Sequence, residues 1–337
     1  MKYIGHAPVR ISLCNGGDTD YYIKAMGWGN LISATIDNLG YTCEVTPKST
    51  RDITYIYENT FNKKKIIKTI HSLDDSDDRM RLILATLKEI HPRFKGEIGI
   101  KTNVPEKSGL GGSSTLIVSL IKALQQSKNE VLTPEEIAKK AYYIERIVLE
   151  IKGGYQDQWA SAFGGGVNYM EFRKGNVFIE PLWLDEKLMQ YLEKYIILFY
   201  FEPRVGNSGQ THEKLEKNLK RKRKETTNIM LSRRDNVLKT RECLLSGRMS
   251  DFVKLLNEEQ RKKELLNSNT ITIKSKELYK TAILTGAVAG KISGTGEGGC
   301  AFFICPLLKQ KAVVQALQQK GAVHLPLRLE RLDKMGV

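Results

Sequence analysis

The residues best suited to chemistry lie in Pro105–Thr115, which reads Pro-Glu-Lys-Ser-Gly-Leu-Gly-Gly-Ser-Ser-Thr. Three glycines and three serines stand there between an alternating segment, Ile98, Ile100, Thr102 and Val104, and an apolar run, Leu116–Leu124. The pattern predicts a strand, a tight turn and a buried helix. The first N–H groups of a helix lack intrahelical partners, and the helix dipole favours negative charge beside them. The loop is therefore a candidate anion cradle, with a phosphorylated ligand as the first expectation. It is not a Walker A loop, because no lysine precedes the final Ser/Thr. It is not a Rossmann fingerprint either, because the third glycine position is Ser114 and no suitable ribose-binding acid follows at the usual spacing. Standing alone, the loop reads more readily as a plain strand-to-helix connection.

Three more polar, glycine-bearing clusters accompany it: Asn15-Gly-Gly-Asp-Thr-Asp20, Gly153-Gly-Tyr-Gln-Asp-Gln-Trp159 and Gly294-Thr-Gly-Glu-Gly-Gly299. Together they suggest one composite site. The elements that must position them alternate irregularly. Ala7–Leu13 reads as a strand, and so do Leu31–Ile36 and Tyr41–Thr46, with Asp37–Gly40 as a hairpin-type connection between the latter two. Arg51–Tyr57 and Lys65–Ile70 continue the sheet, and residues 77–91 have helical spacing. Thr133-Pro-Glu-Glu starts a helix that runs to about Ile151, where Gly153-Gly154 stops it. A helix over Gln156–Phe163 and a hairpin of Val167–Phe172 with Val177–Pro181 follow, then an apolar strand, Tyr195–Phe201. Beyond it, 209–265 and 275–289 read as helical, Gly290–Gly299 as a glycine-rich loop and Cys300–Cys305 as a strand. Ala312–Lys320 reads as a helix and Leu327–Arg331 as a closing strand. This order suits an α+β protein of two packed lobes rather than a doubly wound sheet. The division falls between about 170 and 195.

Composition excludes several classes. The 337 residues are 41% hydrophobic and 27% charged, ordinary values for a globular chain. No apolar run is long enough to span a bilayer, and Met1–Pro8 carries no signal-peptide core, so a cytoplasmic protein without membrane association is expected. The five cysteines are scattered, which argues against zinc and a disulfide framework. The net charge is +15, densest in residues 214–224, where no aromatic or glycine is interleaved. That segment reads as a solvated helix face or lid, and nucleic-acid binding is not expected. A general attraction for small anionic substrates fits the charge better.

Three segments resemble the three motifs of the GHMP kinases in order and spacing: Ala7-Pro-Val-Arg-Ile-Ser, Pro105…Ser-Gly-Leu-Gly-Gly-Ser-Ser and Lys291-Ile-Ser-Gly-Thr-Gly-Glu-Gly-Gly. Gly153–Gly165 and the opening Ala-Pro-Val-Arg-Ile-Ser…Gly-Gly-Asp-Thr-Asp are most similar to the heptose 7-phosphate kinase branch, which phosphorylates an anomeric hydroxyl. The resemblance implies a ribosomal S5-like N-terminal lobe, residues 1–180, and a ferredoxin-like C-terminal lobe, residues 181–337. It implies ATP and Mg2+ and a sugar or sugar-phosphate substrate; the sequence leaves the assembly open between monomer and homodimer.

Carried over residue by residue, the resemblance sets the ATP phosphates on Pro105, Ser108, Gly109, Leu110, Gly111, Gly112, Ser113 and Ser114. The metal falls to Ser113 and Glu145, with Ser114 as the alternative hydroxyl. Glu145 could otherwise be a surface acid paired with Arg146 or Lys140. Asp157 matches the family's general base, although it could also cap its helix. Arg10 would hold Asp157 ionised or stabilise the transferring phosphoryl group; a solvent-facing strand cation is the alternative. Gly17, Asp18, Thr19 and Asp20 would grip sugar hydroxyls, unless the acids only form the turn. Gly294 and Gly296 complete the substrate side, with Arg204 as a separate cationic clamp for a distal phosphate. Gly112 stands where the family more often has serine, and Glu297 where it has a small residue. Leu13–Asp20 also departs from the branch pattern.

Overall fold

A computed structural model describes residues 1–16, 19–49, 52–70, 78–204, 217, 223–266, 270–294 and 296–332. Seven strands form the first sheet: β1 (Tyr3–Cys14), β2 (Trp28–Pro47), β3 (Ile53–Asn59), β4 (Lys64–Ile70), β5 (Gly96–Thr102), β6 (Val167–Arg173) and β7 (Asn176–Pro181). They lie in the order β4-β3-β5-β2-β6-β7, with β1 on β2, and only β3 with β5 is parallel. Four antiparallel strands form the second sheet in the order β11-β8-β10-β9: β8 (Ile196–Glu202), β9 (Ala289–Ile292), β10 (Gly299–Ile304) and β11 (Val323–Leu325).

Helices follow the apolar periodicity. They are α1 (Thr19–Met26), α2 (Asp78–Ile90), α3 (Gly112–Ser127), α4 (Pro134–Tyr142), α5 (Gln156–Phe163), α6 (Glu186–Tyr195), α7 (Arg223–Leu245), α8 (Met249–Leu266), α9 (Ile273–Thr285) and α10 (Leu307–Gln319). α3 packs on β1 and β2. Its stretch Ser114–Ile121 is buried all round, as a helix between two layers must be. α4 starts as its sequence requires. Thr133 accepts from the Glu136 N–H, Glu136 accepts from the Thr133 N–H, and Pro134 fills the first helical position. Among the described residues no helix is long and apolar enough to cross a membrane.

The two lobes share a core. On β8 and β10, Ile196, Leu198, Cys300, Phe302 and Ile304 face the hydrophobic core of the N-terminal sheet. The alternate residues Ile197, Phe199, Phe201, Ala301 and Phe303 face a second core with Leu278, Ala282, Val313 and Leu317 of α9 and α10. Burial on both faces explains why these strands read as unbroken apolar runs. All five cysteines are buried and unpaired, and burial pushes the Cys14 and Cys43 thiols up to about 12.

Several sequence expectations are corrected. Leu31–Thr46 is not a hairpin but part of one 20-residue strand, β2. Pro8 pairs with Gly40 and Val9 with Ile36, so 37–39 form a bulge within the strand. Asn103 lets the chain stay extended there by accepting from the Gly40 N–H and donating to the Asn38 carbonyl. The Asn15–Asp20 turn ends earlier than expected, because Thr19 and Asp20 open α1. The helix expected to reach Ile151 instead ends in a π-helical turn, Tyr143–Val148. Gly290–Ile292 belong to β9, which shortens the third glycine loop, and α9 stops at Thr285. The last sheet strand is Val323–Leu325 rather than Leu327–Arg331. The latter segment returns to the N-terminal lobe: the Asp37 N–H donates to the Arg328 carbonyl and the Glu330 N–H to the Thr35 carbonyl. The helix or lid expected from the basic run 214–224 falls mostly outside the described residues.

Candidate active site

The glycine-serine loop joins β5 to α3, as its sequence implies. Gly111 holds φ 86° at the helix start, and a side-chain carbon there would sit 3.2 Å from the Asp157 carboxyl carbon. Only glycine meets both conditions. No side chain caps α3, so its first N–H groups remain available to an anion. Leu110 and Pro105 are buried. The Leu110 carbonyl accepts from the Arg10 N–H, which pins the loop to β1, and Pro105 has no N–H to offer. Neither side chain can act as a phosphate donor. The Ser108 carbonyl accepts from the Cys300 N–H at 2.7 Å, tying the loop to the second sheet.

Arg10, on β1, donates through Nε to Asp157 Oδ1 at 2.9 Å and through Nη2 to the same oxygen. Its Nη1 reaches the Gly109 carbonyl at 3.0 Å. One guanidinium thus links carboxylate and loop. The Arg10 side chain is 5% exposed and that of Asp157 25%, so the acid keeps an open side. Asp157 lies in the first turn of α5 and caps no N–H of that helix.

Glu145 lies across the N-terminus of α3, in the π-helical turn. Ser113 Oγ donates to its Oε1 at 2.9 Å, and Ser114 Oγ and Gln158 Nε2 donate to Oε2, the latter at 2.6 Å. Its side chain is 3% exposed, with Arg146 Nη1 3.4 Å from Oε1. Both candidate hydroxyls therefore meet the same acid, and Ser113 is the exposed one while Ser114 is buried. A hydroxyl and a carboxylate are hard oxygen donors of the kind Mg2+ takes alongside nucleotide phosphates. Among the described residues no three His, Cys, Asp or Glu side chains converge.

The remaining expected residues gather around this centre or beside it. Thr19 is buried, and its Oγ1 accepts from the Tyr155 N–H at 2.9 Å, joining α1 to the turn before Asp157. A side-chain carbon on Gly154 would fall 1.7 Å from that oxygen. Asp20 faces Lys24 at 3.9 Å on the same helix. Gly17 and Asp18 lie outside the described residues. Arg204 follows β8. Its N–H donates to the Lys107 carbonyl, and its Nε is buried with no hydrogen-bond partner among the described residues. Burial pushes its guanidinium below the ordinary value; Asp157 opposes this and Arg10 adds to it. A side-chain carbon on Gly294 would lie 3.8 Å from Arg204 Nη1. Gly294 borders Gly109, whereas Gly296 backs onto Ile271.

Sequence reading missed the glutamines flanking Asp157. Gln158 holds Glu145, and Gln156 Nε2 donates to Ser12 Oγ. The signal available was a polar Gln-Asp-Gln at the start of an otherwise buried helix. Arg146 was also missed in its observed role: it binds the carbonyls of Gly154 and Ile151 and so shapes the turn before α5.

Comparison with known proteins adds the chemistry. Residues 80–165 match the GHMP kinases N terminal domain and residues 240–323 the GHMP kinases C terminal domain. The chain is 30% identical over 322 residues to a D-glycero-alpha-D-manno-heptose 7-phosphate kinase of Campylobacter jejuni, covering 93% of this chain and 92% of that one. It is 32% identical to a mevalonate kinase of Thermococcus gammatolerans over 68% of this chain and 65% of the other. Among solved structures it resembles a D-glycero-D-manno-heptose 1-phosphate kinase of Bacteroides thetaiotaomicron, with TM-score 0.72, 25% identity, and 98% and 96% of the two chains covered.

Proposed function

The chain belongs to the GHMP kinase family and is an ATP-dependent sugar kinase, and we propose that it phosphorylates the anomeric hydroxyl of D-glycero-D-manno-heptose 7-phosphate. The observation that carries the substrate assignment is the likeness to the Campylobacter heptose 7-phosphate kinase along 93% of the chain. The proposed catalytic group is the Asp157 carboxylate, bound by Arg10 and touching the glycine-serine loop.

In this reading the N–H groups at the start of α3 bind the nucleotide phosphates. Ser113 and Glu145 would hold Mg2+, which supplies charge neutralisation at those phosphates. Asp157 takes the proton from the acceptor hydroxyl as its oxygen bonds to the γ-phosphorus. The bond from that phosphorus to the bridging oxygen breaks, and ADP leaves. Arg10 keeps the carboxylate aimed, because charge-assisted bonds to one oxygen leave the other for the hydroxyl. Arg204, whose Nη1 lies beside Gly294 next to the loop, would serve a nucleotide phosphate rather than a distal sugar phosphate. Thr19 and Asp20 line the acceptor side. Residues 1–180 carry the loop and base, and 181–337 supply the third glycine loop.

The test is ADP release from Mg-ATP with heptoses, hexoses and pentoses, each with and without terminal phosphates, and with heptose 1-phosphate included. Turnover is expected to be greatest with heptose 7-phosphate. A preferred hexose or pentose would reassign the acceptor. Tight ATP binding without turnover on any sugar would overturn the kinase reading in favour of a silent binding module.

A further inference from the structure

Lys291 is 2% exposed on β9, deep between the lobes, and contacts none of the proposed catalytic groups through its Nζ. That Nζ donates to the carbonyls of Ser12 at 3.0 Å and Asn15 at 2.9 Å. The pairing of β1 with β2 shifts between Ser12 and Cys14, where the ladder breaks. Beyond Cys14, Asn15 takes φ 57° and Gly16 φ 100°. Asn15 is itself held, with its Nδ2 on the Asn30 carbonyl at 2.8 Å and its Oδ1 accepting from Tyr22 at 3.2 Å. Buried carbonyls freed by a broken ladder need donors, and here the donor comes from the other lobe.

A second buried lysine repeats the device on the facing loop. Lys263 of α8 donates to the carbonyls of Ile292 and Gly294, the latter at 2.7 Å, and Gln260 Oε1 accepts from the Ile292 N–H. The fully buried Arg233–Glu259 pair, at 2.8 Å, acts electrostatically on Lys291. Burying an ammonium is costly, and a hydrocarbon of similar length would fill the space. The charge has a use if it must hold the carbonyls in one place.

We propose that Lys291 is a positioning residue for the acceptor half of the site, clamping the end of β1 against the C-terminal lobe so that the start of the turn, Ser12–Gly16, is held in register with Ile292–Gly294. The proposal rests on the reading of that turn as the acceptor side. The groups facing Lys291 are Glu259 of α8, Arg233 of α7, and Cys14 and Arg10 of β1. Burial, partly offset by Glu259, pulls the ammonium down to about 8 from an ordinary value of 10.5. Losing that proton removes the charge from both clamping bonds and weakens them. Between these two values the unfolded chain binds the extra proton, so this group's contribution to stability rises with pH while its clamping weakens. A general structural role does not produce that split.

Lys291→Met is expected to raise the acceptor KM by about tenfold or more, with the ATP KM changed by less than about twofold. Amide hydrogen exchange across Ser12–Gly16 should quicken in that variant, while α3 keeps wild-type protection. Equal rises in both KM values, or unchanged exchange at Ser12–Gly16, would overturn the proposal. Should the variant fail to fold, the wild-type enzyme decides. Its acceptor KM should rise about fivefold from pH 7 to 9.5 without loss of folded protein, and a flat profile refutes the clamp. Absence of any sugar turnover would count against the acceptor assignment alone, because the exchange comparison needs no substrate.

Discussion

The two halves of the proposed site are built in opposite ways. The nucleotide half is local: Ser108–Ser114 run consecutively, and their backbone at the start of α3 supplies the donors. The acceptor half is assembled from distant stretches. Thr19 binds the Tyr155 N–H, Gln156 binds Ser12, and Lys291 binds Ser12 and Asn15 across 279 and 276 positions. A backbone cradle requires only that phosphates fit a helix terminus, which many nucleotide-binding proteins share. A sugar must be told from other sugars, and that needs side chains fixed by packing from several directions. Within the family the first half can stay constant while the second changes substrate.

Substitutions can break this contrast. The largest effect is expected from Asp157→Asn, which keeps the Arg10 contact but removes the base. Turnover should fall by about 10²–10⁴-fold, with nucleotide affinity unchanged in an equilibrium titration. Lost ATP affinity would mean that the two halves are not separable at Asp157. A smaller, one-sided effect is expected from Gly154→Ala. The added carbon would lie 1.7 Å from Thr19 Oγ1, and Thr19 is already bound to Tyr155. Relief requires the turn to move, at a cost of about 1–3 kcal/mol in stability by denaturant titration. The acceptor KM should rise about tenfold and the ATP KM little; equal changes would show that the turn serves both ligands. The smallest effect marks the baseline. Thr133→Ala removes the cap of α4, away from both halves, and should cost about 1 kcal/mol of stability with neither KM altered.

The strand, glycine-serine turn and apolar helix that carry the proposed nucleotide half were legible from residue types alone, while the nucleotide itself came from motif resemblance. Glu145, Asp157 and Arg10 became candidates only through motif resemblance, because nothing local distinguishes Glu145 from a surface acid. The structure buries it beneath Ser113, Ser114 and Gln158. Asp37–Gly40 looked like a hairpin turn because its residue types favour turns. Asn103 and the returning segment at Arg328 supply the hydrogen bonds that let β2 pass straight through. Lys291 stood in plain view inside a motif, yet nothing nearby in sequence showed what its amine binds.

The sequence by itself determined the period of most elements, the capped start of α4 and the glycine-serine turn at the start of α3. These depend on interactions within a few residues along the chain. Only the tertiary structure decided that Arg10 joins Asp157 to the Gly109 carbonyl, that Arg204 comes to lie beside Gly294, and that two buried lysines hold the loops of opposite lobes. Those contacts join residues about 30 to nearly 280 positions apart. Their partners are often backbone carbonyls, which every residue carries and no sequence pattern marks.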